Sequence, residues 1–172
     1  MKILMLIDSL EIGGAETHTI TLAKEISRKG HKVEVVSAGG KLLQKLRDVG
    51  IKHIKIPNIC ANTRKNAIPL PIRLLVARNI ICRNVRPHRP DVVHAHTRRM
   101  AFLISGICRA EKIPLVTTAH AKFSMRAPKR ALSKWGDGTI AVSEDIKNHL
   151  LANTSISPQQ IKVIFNGIEI PN

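Results

Sequence analysis

The chain has 172 residues, 44% of them hydrophobic, which is enough for one compact domain that needs no disulfide or metal to fold. It carries 28 basic and 12 acidic residues, a net charge of +16, and only 2% of its residues are aromatic. Acidic residues interrupt its first apolar run, and no run approaches the roughly 20 residues of a membrane-spanning helix. We therefore expect a cytoplasmic protein rather than a secreted or membrane-embedded one.

In chain order, short apolar runs alternate with amphipathic stretches, a pattern typical of βαβ units around a parallel sheet. The predicted strands are Lys2–Ile7, Lys32–Ser37, Ile51–Ile56, Asp91–His94, Pro114–Thr118, Thr139–Val142 and Ile161–Phe165. The predicted helices are Ala15–Lys29, Lys41–Val49, Ile72–Arg86, Arg98–Ala110, a basic segment Met125–Lys134, and a helix from its N-cap Ser143 to about Leu151. We predict an α/β fold, a three-layer, doubly wound parallel sheet of Rossmann-like type.

The predicted helix Ile72–Arg86 differs from the others because its apolar residues do not collect on one arc. We expect Pro87 and Pro90 to end it. The three cysteines, Cys60, Cys82 and Cys108, are far apart and have no neighbouring histidine pair, which is typical of reduced thiols.

Open α/β sheets bind ligands outside the carboxyl ends of their strands, so the polar residues there are the candidate ligand contacts. After the first strand come Asp8 and then Gly13 and Gly14, directly before a helix. Paired glycines let the backbone approach a ligand, and a helix N-terminus stabilises an anion by about 0.3–1 kcal/mol. A structural turn and a phosphate contact both remain open, and Gly14 is expected either to approach a ligand or to adopt a positive φ. The spacing is not that of a dinucleotide-binding fingerprint.

Three histidines follow neighbouring strands. His94 and His96 are two residues apart on one strand, so their side chains point to the same side of the sheet. We interpret His94 as a core histidine and His96 as the one that faces a ligand. His120 directly follows the next strand. No third residue has a spacing that suits zinc, so we predict no metal site.

Two further strand ends carry candidate residues. Ser143 ends a strand and begins a helix, another arrangement that favours an anion. Asn166 and Gly167 follow the last strand, and this pair favours a turn with positive φ that suits a hinge.

Two stretches without acidic residues carry fifteen of the basic ones, nine between Asp48 and Asp91 and six between Glu111 and Asp137. Such a field attracts phosphate groups, whether of nucleic acid, an anionic lipid or a phosphorylated substrate. Charge alone does not choose among them.

Five motifs, in order, resemble the N-terminal domain of family-four glycosyltransferases. They are Gly-Gly-Ala-Glu, Pro-Asp-Val-Val-His-Ala-His, Thr-Thr-Ala-His, Ala-Val-Ser-Glu and Val-Ile-Phe-Asn-Gly-Ile, and together they span the whole chain. The resemblance implies a GT-B enzyme, whose N-terminal domain binds the acceptor and whose C-terminal domain binds the sugar nucleotide. The family commonly has Pro where Phe165 stands here, which affects the stiffness of the linker.

By this resemblance, residues 1–165 would be the acceptor-binding half of a retaining glycosyltransferase, and residues 166–172 the start of an interdomain linker. It implies His120 as the catalytic residue facing the reacting sugar, with Asn166 and Gly167 as the hinge. The predicted substrate and phosphate site comprises Gly13, Gly14, Glu16, His96 and Ser143. The implied partners are a saccharide or lipid-linked acceptor and a nucleotide sugar, with no metal or other cofactor.

The sequence ends at Asn172, so we expect the donor-binding half to be absent and the chain alone to be inactive. Many relatives act on lipid-linked acceptors at the inner membrane face. We therefore expect peripheral docking on anionic lipid through Ile72–Arg86 and Met125–Lys134. The alternative to membrane docking is that the basic residues serve only to keep the chain soluble.

Two other functions remain open. A nucleic-acid-binding module would use the same charge, but the chain has few aromatic residues for base stacking and no recognition motif. A phosphosugar-binding protein would use the same cleft without catalysis.

Overall fold

The computed structural model describes residues 1–59, 68–123 and 133–167. Its strands are β1 (Lys2–Leu6), β2 (Lys32–Ser37), β3 (Lys52–Lys55), β4 (Val92–Ala95), β5 (Leu115–Ala119), β6 (Gly138–Ala141) and β7 (Ile161–Val163). Its helices are α1 (Gly14–Arg28), α2 (Leu43–Arg47), α3 (Leu70–His88), α4 (Arg98–Glu111) and α5 (Glu144–Asn153), and a 3₁₀ turn (Pro158–Gln160) precedes β7. Each predicted strand is present, and β2 has the predicted bounds.

The seven strands pair in parallel in the order β3-β2-β1-β4-β5-β6-β7. From β1 the chain runs outward through β2 to β3, and α3 then returns it to β4, on the other side of β1. The strand order therefore reverses between β1 and β4. In doubly wound sheets, ligands bind at such a reversal, outside the carboxyl ends of the strands.

Aliphatic side chains pack on both faces of the sheet. Leu4 and Leu6 of β1 share a core with residues of α3 and α4. The alternate residues, Met5 and Ile7, share the opposite core with residues of α1 and α2. Successive side chains of a strand point to opposite faces, and both faces are apolar here because helices cover both. These layers confirm the predicted three-layer architecture.

The helix α3 has two apolar arcs, which explains why its sequence gives no clear single arc. Ala77, Ile81 and Val85 are buried against the sheet, whereas Ile72 and Leu75 are 50% and 60% exposed. Further along the outward side lie the exposed basic residues Arg78, Arg83 and Arg86. One arc therefore builds the core, and the other remains on the surface.

The expected end of this helix at Pro87 is wrong. Pro87 lies inside α3, which continues to His88, and the Arg89 N–H still reaches the Val85 carbonyl at 2.9 Å. Proline removes only one hydrogen bond in the last turn, and Arg89 closes the helix with a φ of 35°.

The predicted helix Met125–Lys134 falls almost entirely on residues 124–132, which lie outside the described residues. Only Ser133 and Lys134 of it are described, and neither is helical. Cys60 also lies outside the described residues.

A glycine pair after β2 positions the loop that follows β1. Leu10 donates its N–H to the Gly39 carbonyl at 2.9 Å, and Leu42 donates to the Leu10 carbonyl at 2.8 Å. Gly40 has a φ of 152°, and a Cβ there would collide with the backbone of Leu10 and Glu11. Glycine is therefore required at this position, and the contact fixes the loop that leads into α1.

Candidate functional site

Asp8 connects the end of β1 to the start of α4. Its Oδ1 accepts a hydrogen bond from the Thr97 hydroxyl at 2.8 Å, and Arg99 Nη1 lies 2.7 Å from its Oδ2. Thr97 is also the N-cap of α4, where its hydroxyl oxygen accepts the Met100 N–H at 3.3 Å. Burial raises the pKa of Asp8, although Arg99 and the Thr97 hydroxyl act in the opposite direction. This network links the end of β1 to the start of α4 at the strand reversal.

Four histidines lie together at the same edge of the sheet. His18 comes from α1, His94 and His96 from the end of β4, and His120 from the residue after β5. The ring centroids of His18 and His120 are 5.1 Å apart, and those of His96 and His120 are 5.7 Å apart. Nδ1 of His96 lies 3.4 Å from Nε2 of His120. The structure thus brings the predicted residues His96 and His120 together and adds His18.

The four rings differ in burial. His94 is buried, and its Nε2 contacts Thr118 Oγ1 at 2.7 Å, as expected of a core histidine. His96 is only 2% exposed, whereas His18 and His120 are half-buried. A ligand therefore meets His18 and His120 first, and His96 forms the floor of the cluster.

All four rings are neutral at neutral pH. Burial lowers the pKa of His94 and of His120 to about 4 each, and it also lowers the pKa of His18 and His96. At His94, His96 and His120 the neighbouring histidines add to the shift, because a second positive charge would be repelled. A neutral imidazole offers one N–H donor and one acceptor nitrogen, which suits hydrogen bonding to ligand hydroxyls.

We expect this burial to make stability fall at low pH. The pKa of His94 is about 4 in the folded chain against an ordinary value of 6.5, so below pH 6.5 the unfolded chain binds a proton that the folded chain does not. His94 stabilises the fold fully above pH 6.5 and progressively less down to pH 4. The loss is about 2 kcal/mol at pH 5. His94→Gln keeps a polar group near Thr118 and should remove this part of the pH dependence.

Urea unfolding at pH 7.5 and pH 5.0 measures this effect, with EDTA present so that metal does not bind the histidines. His31→Gln is the matched control, because His31 lies just before β2 at the opposite edge of the sheet. If the loss of stability between the two pH values is the same in His94→Gln as in the unchanged chain, the prediction is wrong.

Gly13 and Gly14 lie where α1 begins. Gly13 is the N-cap, in extended backbone, and Gly14 is the first helical residue. The Glu16 carboxylate folds back over Gly13, and a Cβ on Gly13 would collide with it. Glu16 stands three residues after the N-cap, where a carboxylate stabilises the free N–H groups of a helix.

One of the two expectations for Gly14 is wrong, because Gly14 is helical and has no positive φ. The other expectation, that Gly14 lets a ligand approach the backbone closely, stays a prediction. Gly14→Val should therefore severely lower the sugar-transfer activity that the resemblance implies. The assay uses the full-length protein, by which we mean the reading frame carried to its natural stop. The melting temperature should stay within a few °C, because a Cβ at Gly14 meets no other atom within 4 Å. Gly106→Val on α4, with equally open surroundings, is the control, and normal activity of Gly14→Val would remove the glycine turn from the site.

Ser143 and the last described residues occupy other strand ends. Ser143 Oγ accepts the Ile146 N–H at 3.2 Å, which confirms Ser143 as the N-cap of α5. The turn with positive φ expected at Asn166 and Gly167 does not form, since neither residue has a positive φ. Both are exposed and follow β7 in irregular backbone, and their hinge role stays a prediction.

Sequence reasoning missed His18, Thr97 and Arg99. His18 lies one helical turn after Gly14, so its position near the strand reversal follows only from the path of α1. Thr97 and Arg99 contact Asp8 across 89 and 91 residues of sequence, and no local pattern signals such a pair. A histidine in the first turns of the helix after β1 was the one available signal.

Solved structures share this architecture. The chain aligns with a glycosyltransferase from Rickettsia africae at 24% identity and a TM-score of 0.73, covering 97% of this chain and 43% of that one. It aligns with Alr3699/HepE of Anabaena, solved in complex with UDP-glucose, at 22% identity and a TM-score of 0.76, covering 98% and 44%. The fold is therefore a Rossmann-like domain of the GT-B type.

The chain belongs to Glycosyltransferase Family 4, which matches residues 12–170. Among curated proteins it resembles the GPI3 subunit of phosphatidylinositol N-acetylglucosaminyltransferase from Saccharomyces cerevisiae, at 26% identity over 92% of this chain and 37% of the yeast protein. The chain thus spans less than half the length of these relatives. Within the described residues, no helix is both long and apolar enough to cross a membrane.

Proposed function

We propose that this chain is the acceptor-binding half of a retaining glycosyltransferase that moves a hexose from a nucleotide sugar to a saccharide or lipid-linked acceptor. The observation that carries the proposal is the cluster of His18, His96 and His120 at the strand reversal of a Family 4 chain. Residues 1–165 form the acceptor domain, and Asn166 and Gly167 lead toward a donor-binding domain. The reaction as proposed uses no metal or other cofactor.

His120 is the proposed catalytic residue. Its neutral ring is half-buried and sits at the open side of the cluster, where it can hydrogen-bond to a hydroxyl of the transferred sugar. Such a bond accelerates transfer to the extent that it strengthens in the transition state. His96 supports His120 from below, with their facing nitrogens 3.4 Å apart.

The glycine turn is the proposed phosphate contact. Gly13 and Gly14 carry no side chains, so the donor diphosphate can approach the N–H groups that begin α1. Glu16 belongs to the same loop-to-helix junction, and its carboxylate lies beside Gly13. Ser143 begins α5 at a neighbouring strand end and offers the corresponding helix N-terminus on the other wall of the cleft.

A lipid-linked acceptor is favoured by the outward arc of α3. Arg73, in the first turns of α3, donates a hydrogen bond to the carbonyl of Asn58, which follows β3 at the carboxyl edge of the sheet. The first turns of α3 therefore lie toward the same edge as the histidines. Their exposed Ile72 and Leu75 stand beside exposed arginines, a combination that suits an anionic lipid surface on the cytoplasmic face. The yeast relative is named for a phosphatidylinositol acceptor, which agrees with this choice.

The test is sugar transfer by the full-length protein, with nucleotide hexoses as donors and either free saccharides or phosphatidylinositol-containing vesicles as acceptors. We expect a product that keeps the donor's anomeric configuration. Residues 1–172 alone should show no transfer above a His120→Ala control, because the donor is held by the other domain. Turnover by residues 1–172 alone would contradict the acceptor-side assignment, and an inverted product would contradict retention.

A further inference from the structure

The histidine cluster can do more than hydrogen-bond to a sugar. We propose that His18, His96 and His120 form a binding site for a divalent transition metal such as Zn²⁺. This reverses the expectation from sequence that no third residue suits a zinc site. The third ligand is His18, which lies 78 residues before His96 and reaches it only through the packing of α1 on the sheet.

The spacing of the ring nitrogens supports metal binding. One nitrogen from each of the three rings lies within 4.8 Å of the other two. Tetrahedral zinc bound at about 2.0–2.1 Å places its ligand nitrogens roughly 3.3–3.4 Å apart. Nδ1 of His96 and Nε2 of His120 are already 3.4 Å apart, which is longer than an ordinary hydrogen bond of about 2.9–3.0 Å. His18 is half-buried on α1, with its ligand nitrogen within 4.8 Å of both.

The chemistry of the three ligands selects the kind of metal. Imidazole nitrogens suit Zn²⁺, Ni²⁺ and Cu²⁺, whereas Mg²⁺ and Ca²⁺ prefer oxygen ligands. Asp8, the carboxylate at the end of β1, is engaged by Thr97 and Arg99. Three histidines leave the fourth position of a tetrahedral ion open to water or to a ligand from the cleft.

The surroundings of the three histidines limit their affinity for a metal ion. Histidines that hold a metal usually donate their second N–H to a carboxylate or carbonyl, and losing such a partner costs about 10–100-fold in affinity. The remote nitrogens, Nε2 of His96 and Nδ1 of His120, contact no hydrogen-bond partner among the described residues. We therefore expect binding on the order of micromolar, weaker than a structural zinc site.

Metal at this site would cover His120, so it would block sugar transfer. This consequence rests on the proposed function, whereas the metal site itself does not. Zn²⁺ should inhibit the full-length protein reversibly, and EDTA should restore its activity. If the protein binds metal but is not a transferase, the proposed metal site is still correct, and only the predicted inhibition of sugar transfer is wrong.

The experiment is a titration of the tag-free chain with Co²⁺, whose visible absorption becomes intense in a tetrahedral site. We expect one saturable site, displacement of Co²⁺ by Zn²⁺, and at least tenfold weaker binding in His18→Ala. His149→Ala on α5 is the matched control and should bind as the unchanged chain does. His120→Gln, a second variant, should also weaken binding, and far-UV circular dichroism checks that each variant folds.

Two results would overturn the proposal. One is the absence of saturable binding at one ion per chain. The other is equal affinity in His18→Ala and His149→Ala, which would mark adventitious binding to surface histidines. Neither result bears on sugar transfer, which is assayed separately with EDTA present.

Discussion

His120→Ala in the full-length protein is expected to lower kcat/KM for sugar transfer by about a hundredfold or more. The estimate follows from the usual effect of deleting one preorganised hydrogen-bond group at a reacting centre, about 10²–10³ in kcat. The neutral ring of His120 lies at the open side of the cluster, 5.1 Å from that of His18 and 5.7 Å from that of His96, measured between centroids. If His120 contacts the sugar as proposed, its removal takes away that contact while the apolar cores stay intact.

A second variant and a control separate this role from a structural one. His120→Gln keeps a donor and an acceptor, so it should recover part of the activity that His120→Ala loses. His31→Ala removes a histidine at the opposite edge of the sheet and should leave kcat/KM unchanged. The melting temperatures of all three should agree within a few °C. A decrease of less than threefold in His120→Ala would remove His120 from the reacting centre.

The fold could be predicted because the local sequence of each strand indicates a strand. In β2, Val33, Val35 and Val36 form a β-branched run typical of a buried strand, and its predicted bounds agree with the structure. The carboxyl ends of parallel strands share one edge, so His96 and His120 could be expected to meet there although 24 residues separate them. Strand periodicity and parallel topology were enough for this part of the site.

The rest of the site depends on packing that no local pattern contains. His18 reaches the cluster because α1 lies across the sheet at a particular angle, and amphipathic spacing does not give that angle. Arg99 meets Asp8 because α4 begins beside β1, after the chain has crossed back from β3. The apolar residues of α3 gave an unclear pattern because they serve two surfaces, the core and the solvent-facing arc.

Replacing Ile72 and Leu75 together by Asp is expected to lower binding to anionic vesicles by about a hundredfold. Both side chains are at least half exposed on the first turns of α3, where they could insert among lipid chains. Each buried aliphatic side chain is worth about 1.5–3 kcal/mol, and about 3 kcal/mol in total corresponds to a hundredfold. The exposed Arg78 and Arg83 further along the helix add about 1 kcal/mol each near anionic headgroups, whereas Arg86 is paired with Glu111 at 3.1 Å.

Sedimentation with phosphatidylcholine vesicles, with and without phosphatidylserine, measures this binding at low salt. The control carries Val49→Asp and Asn148→Asp, which add the same two negative charges at exposed positions away from α3 and should change binding little. The basic residues Arg126, Lys129 and Arg130 lie outside the described residues, and their joint replacement by Glu tests the second expected contact. If the chain ignores phosphatidylserine, or if the Ile72 and Leu75 variant binds as the control does, α3 is not a membrane contact. Its outward arc would then be an ordinary surface, and the case for a lipid-linked acceptor would rest on the yeast relative alone.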